Sequence, residues 1–491
     1  MGPHRTGKTV DLEADLVVIG GGGAGLAAAV TAAENGAKNI VVLEARAVPG
    51  GNSVFPDSIF AIRSGLPIRW GIDDGRADIF KKAIDYAHGK TSPRVLRALL
   101  DKAEDIVGWL EAKGLKFEAD RLTHMDQVHM TARACAGGLS TGAAVVKALV
   151  KNCEDVGTRI ICDARAKKLV TGERGEVVGV LAKTKGGEVK IAARCFVIAT
   201  GGFAGNKEML KKCIPSFNDD IHCLGLPHKG DGLKMAAEMG AASDEMLAEL
   251  AGPDFRGPMR LEIIGKRPET IWVNRRGERF SDEAICSVFP EAANRVCRQP
   301  GKVSYTLFDE NIKEIILGDK ENIDPRYKRA LSGADWTAAD KDLHLQVKKG
   351  AVKIADSWVE IAEWMGAAPE VLRATISEYN GACDQGYDGT FLKDAKYLLP
   401  LRTPPYYALR CGVMLLVTHG GIAVNQRMEV LDAQNDPIPG LYAAGVDTGG
   451  TDSDTYNVSL RGHSFGFTLN SGRIAGESAA DYVGRQRKSG R

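Results

Sequence analysis

This sequence predicts an α/β fold built around a nucleotide-binding strand–turn–helix–strand unit near its N-terminus. Three observations predict it. Asp15–Gly20 reads DLVVIG, a short apolar run suited to a buried parallel strand. Gly20, Gly22 and Gly25 then form GxGxxG within GGGGAG, and Leu26–Glu34 continues as an alanine-rich helix. A second apolar run, Asn39–Leu43, ends at Glu44.

Each part has a physical task. Gly20 allows a tight turn out of the strand. Gly22 removes a side chain where a pyrophosphate must approach the backbone, and Gly25 lets helix and strand pack closely. The helix N-terminus offers N–H groups and a positive dipole to phosphates. Glu44 lies nineteen positions after Gly25, where a carboxylate can accept hydrogen bonds from ribose hydroxyls. Pro49-Gly50-Gly51-Asn52-Ser53 follows as a tight turn of small residues against which a flat ring can lie.

The bulk properties narrow the classes. The chain has 491 residues, 44% hydrophobic and 26% charged, which fits a large soluble protein of more than one domain. A net charge of +1 points to neither nucleic acid nor an anionic membrane as partner. The ten cysteines show no CxxC pair, haem motif or zinc spacing, and read as reduced thiols of a cytoplasmic protein. His124 and His129 are five apart with no clear third ligand, so no metal site is expected there.

Gly2–Thr9 matches the P-loop pattern GxxxxGK[ST], but only Met1 precedes it, so no strand can aim the loop and the match reads as coincidence. No signal peptide is expected, since no apolar run follows the early basic residues. Leu16–Ala33 is uncharged and long enough for a membrane span, but its five glycines fit the nucleotide-binding turn better, and no span is expected.

GGNS a few residues after Glu44 resembles the fumarate reductase and succinate dehydrogenase flavoprotein superfamily. That superfamily also includes 3-ketosteroid dehydrogenases and related ene-reductases. Further segments fit it in order: the hairpin-like Gly175–Val180, the strand-like FVIATGG of Phe196–Gly202, and Gly230-Asp231-Gly232 opening a helix through Met235 and Met239. IPGLYAAGVDTGG, Ile438–Gly450, resembles the family's closing FAD motif, and the last helix carries Phe465–Gly476 with SGRIAG at its end.

The resemblance covers nearly the whole chain from about Glu13. It implies a Rossmann-type FAD-binding domain built from both chain ends, 1–250 and 386–491, with an inserted α+β capping domain, 251–385. The insert has long charged helical stretches such as Trp336–Met365. In the family such a cap is mobile and closes over the flavin, excluding water. The implied FAD contacts are Gly20, Gly22, Ala24, Gly25, Glu44, Ala45, Gly51, Asn52, Ser53, Ala166, Thr200, Gly201, Gly445, Asp447, Ser464 and Phe465. Ser464 and Phe465 would open a helix aimed at the flavin pyrimidine carbonyl. No covalent-flavin signature stands out, so non-covalent FAD is expected.

The pocket departs from the dicarboxylate pattern of fumarate reductases. The turn equivalent to the family's His-TMGG reads Val417-Thr418-His419-Gly420-Gly421. The segment equivalent to NRLGG reads Val458-Ser459-Leu460-Arg461-Gly462. The histidine and arginine positions thus fall on Val417 and Ser459, with His419 and Arg461 each two places on. VNRRGERFSDE, Val273–Glu283, retains the family's glutamate at Glu283, and FDENIK puts Lys313 where the family has its acid arginine.

Candidate catalytic residues are therefore Arg461, Tyr456, His419, Glu283 and Lys313. A lysine serves as acid only if burial or a nearby cation lowers its pKa well below ~10; otherwise Lys313 is a surface lysine on an amphipathic helix. Glu283 would alternatively pair with Arg279 or a backbone amide, and Arg461 with Asp447. Tyr456 is either a proton donor or a packing residue, and His419 a pocket group or a plain turn histidine.

The reading is an FAD-dependent oxidoreductase acting on CH–CH bonds, reducing an activated C=C of a small substrate other than fumarate, or running in reverse. Three alternatives stay open: a 3-ketosteroid-type dehydrogenase using Tyr456, a dicarboxylate reductase rebuilt on Arg461 and His419, and an electron-transfer flavoprotein subunit. The electron donor or acceptor is unidentified; a second Rossmann fingerprint for NADH is absent.

Overall fold

The computed structural model describes residues 10–62, 76–124, 127–135, 139–173, 175–319, 338–460 and 462–488. Gly2–Thr9, Trp336 and Arg461 lie outside them, as do the side chains of His124 and His129.

The chain divides into two compact units. The first comprises the described residues up to Pro215, Gly225–Glu249 and Val417 onward. Its centre is an eight-stranded sheet. Strand β1, Val10–Ile19, pairs in parallel with β2, Ile40–Leu43, on one side and with Gly187–Ile198 on the other. Beyond these lie Arg159–Ile161, parallel to β2, and Pro437–Ala443, parallel to Gly187–Ile198. The strand from the C-terminal part thus sits two places from β1, and the sheet is built from both ends of the chain. Leu16, Val17, Val18, Phe196, Val197 and Ile198 are buried, as continuous apolar runs of parallel strands require. Arg165–Thr171 and Val177–Thr184 form the expected hairpin and join the sheet's path through Gly187–Ile198.

Helix α1, Gly23–Glu34, packs on the C-terminal helix His463–Lys488. Their closeness depends on glycine. A Cβ at Gly472 would lie 2.2 Å from Ala24 O, and one at Gly476 would lie 2.4 Å from Ala28 O. SGRIAG is therefore a helix-packing face in mid-helix, and the helix runs on to Lys488.

The second unit comprises Ser216–Leu224 and Leu250–Leu416. Its sheet is ordered around the long strand Tyr406–Gly420, which pairs antiparallel with Ser304–Asp309 and Val352–Ala355. Ile271–Val273 pairs in turn with Ser304–Asp309. The insert thus begins one residue before the expected 251. It ends at 416 and not at 385, because Tyr406–Cys411 is in register with Ser304–Asp309. The expected helical stretch through Met365 is also corrected. Helices Ala339–Lys348 and Trp358–Met365 are separated by Val352–Ala355. Gly350, at φ 72°, follows the first helix, and the strand then pairs with Tyr406–Leu409.

Candidate active site

The glycine motif folds as its spacing requires. Gly20 has φ 113°, and a Cβ there would lie 2.1 Å from Ala199 O. A Cβ at Gly25 would lie 1.9 Å from Gly20 O. Gly22 differs: the nearest atom to its Cβ would be Gly50 O at 3.9 Å. The motif thus holds two glycines for packing and one that leaves space at the helix start. Gly22 is the N-cap of α1 and supplies no side-chain cap, and the first turn carries no acidic residue. Ala24 is buried in that turn.

Ser53 Oγ accepts a hydrogen bond from Gly23 N–H at 3.0 Å, and Asn52 Oδ1 accepts one from Leu226 N–H at 2.7 Å. Glu44 Oε2 accepts from Gly21 N–H and Oε1 from Arg46 N–H, which aims the carboxylate at the turn. Ala45 is exposed beside it. Ala164 N–H donates to Glu44 O, bringing Ala166, on the next strand, to the same end of the sheet. Gly445, at φ 73°, would bring a Cβ to 2.9 Å from Ala24 Cβ, and its N–H donates to Ser471 Oγ.

Asp447 is buried and shapes the turn after FVIA. It accepts from the N–H groups of Thr200, Gly201 and Gly202 and from Thr200 Oγ1. Burial pushes its pKa up, against these hydrogen bonds. Its carboxylate is thus engaged by the 200–202 backbone. Ser464 and Phe465 follow His463 in the first turn of the C-terminal helix.

A buried cluster of charged groups stands at the 418–421 turn. Thr418 Oγ1 accepts from Phe203 N–H at 2.8 Å, tying this turn to the 200–203 turn. A Cβ at Gly420 would lie 1.8 Å from Glu245 O, so the turn admits only glycine there. His419 Nε2 is 3.1 Å from Glu249 Oε2, and its Nδ1 is 4.0 Å from Asp452 Oδ2. Asp452 Oδ1 lies 3.0 Å from His463 Nε2 and accepts from Asn457 N–H. His463 Nδ1 is 2.7 Å from Leu460 O. Tyr456 stacks on His463 at 4.5 Å between ring centroids and lies 5.9 Å from His419.

Burial opposes charge on His419, but the Glu249 hydrogen bond and the Asp452 and Glu249 charges outweigh it and hold its pKa above the ordinary value. Burial likewise opposes charge on Asp452. The imidazoles of His463 and His419 and the Asn457 N–H still hold its carboxyl well below the usual range.

Glu283 and Lys313 lie in the second unit. Glu283 is fully buried, paired with Arg279 and Lys393, and accepts from Trp272 N–H. Burial raises its pKa, but these cations and the N–H bring it below the ordinary value, so it is an anion locked into the core of that unit. Lys313 fails the condition set for an acid. Burial lowers its pKa, but Asp340, Glu310 and Tyr407 surround its Nζ and raise it overall. The lowered pKa that the proton-donor expectation for Lys313 calls for is therefore not what these partners produce.

The FAD binding domain family matches residues 15–457. The chain belongs to that family. It is an FAD-dependent oxidoreductase of the fumarate reductase flavoprotein superfamily. It is 29% identical over 490 residues to the vinyl phenol reductase of Lactiplantibacillus plantarum, covering 96% of this chain and 97% of that protein. It is 28% identical over 492 residues to a fumarate reductase (cytochrome) of Shewanella frigidimarina, covering 98% of this chain and 78% of that one. Among solved structures it resembles the 3-ketosteroid-Δ4-(5α)-dehydrogenase of Rhodococcus jostii RHA1 in complex with 4-androstene-3,17-dione. The TM-score is 0.76 at 25% identity, covering 97% of this chain and 99% of that one.

The flavoprotein's own residues fit FAD. The space at Gly22, the uncapped start of α1 and the Glu44 carboxylate at the end of β2 suit a pyrophosphate and a ribose. The His228 imidazole, close to Gly201 and Gly51, has a buried Nε2 with no hydrogen-bond partner among the described residues. Among these residues no helix is long and apolar enough to cross a membrane. Glu249, Asp452 and His463 escaped the sequence reading. Asp452 and His463 lie in the same loop-to-helix segment as Tyr456, and the eleven-residue spacing of an acid and a histidine carries no motif of its own.

Proposed function

We propose that this flavoprotein reduces an activated C=C of a small neutral or aryl-conjugated substrate, with His419 as the group that holds the transferable proton. One observation carries the reading: His419 is buried between two carboxylates, Glu249 and Asp452. A fumarate site needs cations free to face two substrate carboxylates. Here His419 is engaged by two of the protein's own carboxylates, and Val417 and Ser459 occupy the positions equivalent to two of the family's dicarboxylate clamps. The name of the vinyl phenol reductase relative supports a substrate of the same kind.

FAD, when bound, supplies or accepts the hydride. Glu249 and Asp452 raise the pKa of His419, which favours a proton on the ring that can meet the negative charge developing on the substrate carbon next to the one receiving hydride. Burial keeps water from that proton. Tyr456, stacked on His463 and 5.9 Å from His419, is an aromatic neighbour of this cluster suited to an aryl or enone substrate. Arg461, outside the described residues, is proposed as a further substrate contact from the sequence alone. Electrons come from a separate, unidentified donor.

The test is anaerobic reoxidation of the dithionite-reduced holoenzyme. Fumarate, an aryl acrylate, 4-vinylphenol, a flavonoid-type enone and a 3-ketosteroid enone are mixed in parallel. Fast return of the oxidised spectrum with neutral or aryl alkenes is expected. Fast return with fumarate alone overturns the reading and assigns Arg461 and His419 to a rebuilt dicarboxylate clamp. Fast return with the 3-ketosteroid alone favours a steroid-type dehydrogenase that uses Tyr456.

A further inference from the structure

We propose that His228 holds bound FAD as a hydrogen-bond donor, through an Nε2 that meets an acceptor atom of the cofactor. Two turns of the FAD cradle meet its ring. A Cβ at Gly201 would lie 3.1–3.2 Å from three of the imidazole atoms, so the ring lies over that turn. A Cβ at Gly51 would lie 4.0 Å from His228 Cε1 and 3.7 Å from Gly22 Cα. The imidazole thus borders the 200–202 turn and the GGNS turn, and Gly51 of the latter in turn faces Gly22.

The backbone beneath the ring is fixed from several sides. His228 N–H donates to Leu226 O, and His228 O accepts from Gly205 N–H. Leu226 N–H is bound by Asn52 Oδ1, and Gly230 N–H donates to Gly202 O. Asp231, three residues on, is held by a two-pronged pair with Arg165. A side chain held this firmly, with a buried nitrogen lacking any partner among the described residues, is arranged for a ligand. Burial and the Arg46 charge push its pKa down against the pull of Asp231, which leaves a neutral ring with a single N–H. FAD is rich in acceptors, from pyrophosphate and ribityl oxygens to the ring carbonyls, so the complementary role for this ring is donation.

The test measures FAD retention, not turnover. Full-length holoenzyme is diluted, and the fluorescence of released FAD gives the dissociation constant for wild type, His228→Phe, His228→Leu and His228→Gln. Phe keeps a flat ring without a donor, Leu removes the donor with less bulk against Gly201, and Gln restores an N–H. Expected is a rise in dissociation constant of about tenfold or more for Phe and Leu, with Gln within about threefold of wild type. Far-UV circular dichroism of each apoprotein confirms that the fold is retained. A folded Phe or Leu variant that keeps FAD within about twofold of wild type overturns the proposal, and so does a Gln variant that loses FAD as badly as Leu.

Discussion

His419 Nε2 sits 3.1 Å from Glu249 Oε2, both side chains buried. This pair sets the protonation of the one imidazole at the 418–421 turn. Its neighbours on the other side are Asp452 and, through Asp452, His463.

The pair has a pH signature. The folded pKa of His419 is raised above its ordinary 6.5, so its contribution to stability is fully present below that value and is lost as pH rises through the folded pKa. Asp452 behaves oppositely. Its folded pKa is depressed, so its contribution is present above the ordinary carboxylate pKa and is lost as pH falls through the folded value. Glu249→Gln should flatten the decline of Tm above neutral pH and cost about 3 kcal/mol at neutral pH, as loss of one partner from a buried pair does. If His419 provides the proton, the alkaline limb of the kcat profile should move to lower pH in the same variant. A limb that stays in place would remove His419 from the reaction.

Two glycines of one motif should respond differently. Gly25→Ala drives a Cβ against Gly20 O, a backbone atom that cannot yield cheaply, and should cost about 3 kcal/mol or more in a denaturant titration. Gly22→Ala has room in the described structure and an ordinary φ of −79°. It should fold with a loss of about 1 kcal/mol or less but bind FAD at least about tenfold more weakly. Equal FAD affinity in Gly22→Ala would place the pyrophosphate elsewhere.

This contrast also shows what was legible in advance. Gly20, Gly22, Gly25 and Glu44 act through backbone turns a few residues long, so their roles can be read from spacing alone. The two-ended sheet was legible because FVIATGG and IPGLYAAG are each short buried strands ending in small residues. The Glu249–His419–Asp452–His463 cluster was not. It joins residues from separated segments, and only the fold brings them within hydrogen-bond reach. The end of the insert was missed because pairing between Tyr406–Cys411 and Ser304–Asp309 is long-range and leaves no local mark. Lys313 had the right place in a motif, but its surroundings, Asp340, Glu310 and Tyr407, decide its protonation.

Glu283 and Lys313 should separate stability from chemistry. Glu283→Gln leaves Arg279 and Lys393 buried beside a neutral amide and should cost about 3–5 kcal/mol. Lys313→Met loses pairs with Glu310 and the exposed Asp340 and should cost only about 1 kcal/mol. With activity corrected for folded, FAD-loaded protein, Lys313→Met should keep kcat within about threefold of wild type. A kcat loss of a hundredfold or more in Lys313→Met at unchanged stability would restore it as a catalytic group.

Asp447 offers the last test, because its two oxygens meet four donors from one turn. Thr200, Gly201 and Gly202 present three N–H groups there, and Thr200 adds its hydroxyl. Asp447→Ala strands those N–H groups in a buried place, each costing ~1–3 kcal/mol when left unmet, so a total loss of about 3 kcal/mol or more is expected. The turn should loosen, and because Gly201 packs on His228, FAD should be lost with it. Asp447→Asn keeps one acceptor oxygen but turns an NH2 toward a donor, so it should fall between wild type and Ala in both Tm and FAD retention. If Asn and Ala lost FAD equally while Asn kept wild-type Tm, Asp447 would act on the cofactor directly and not through the turn.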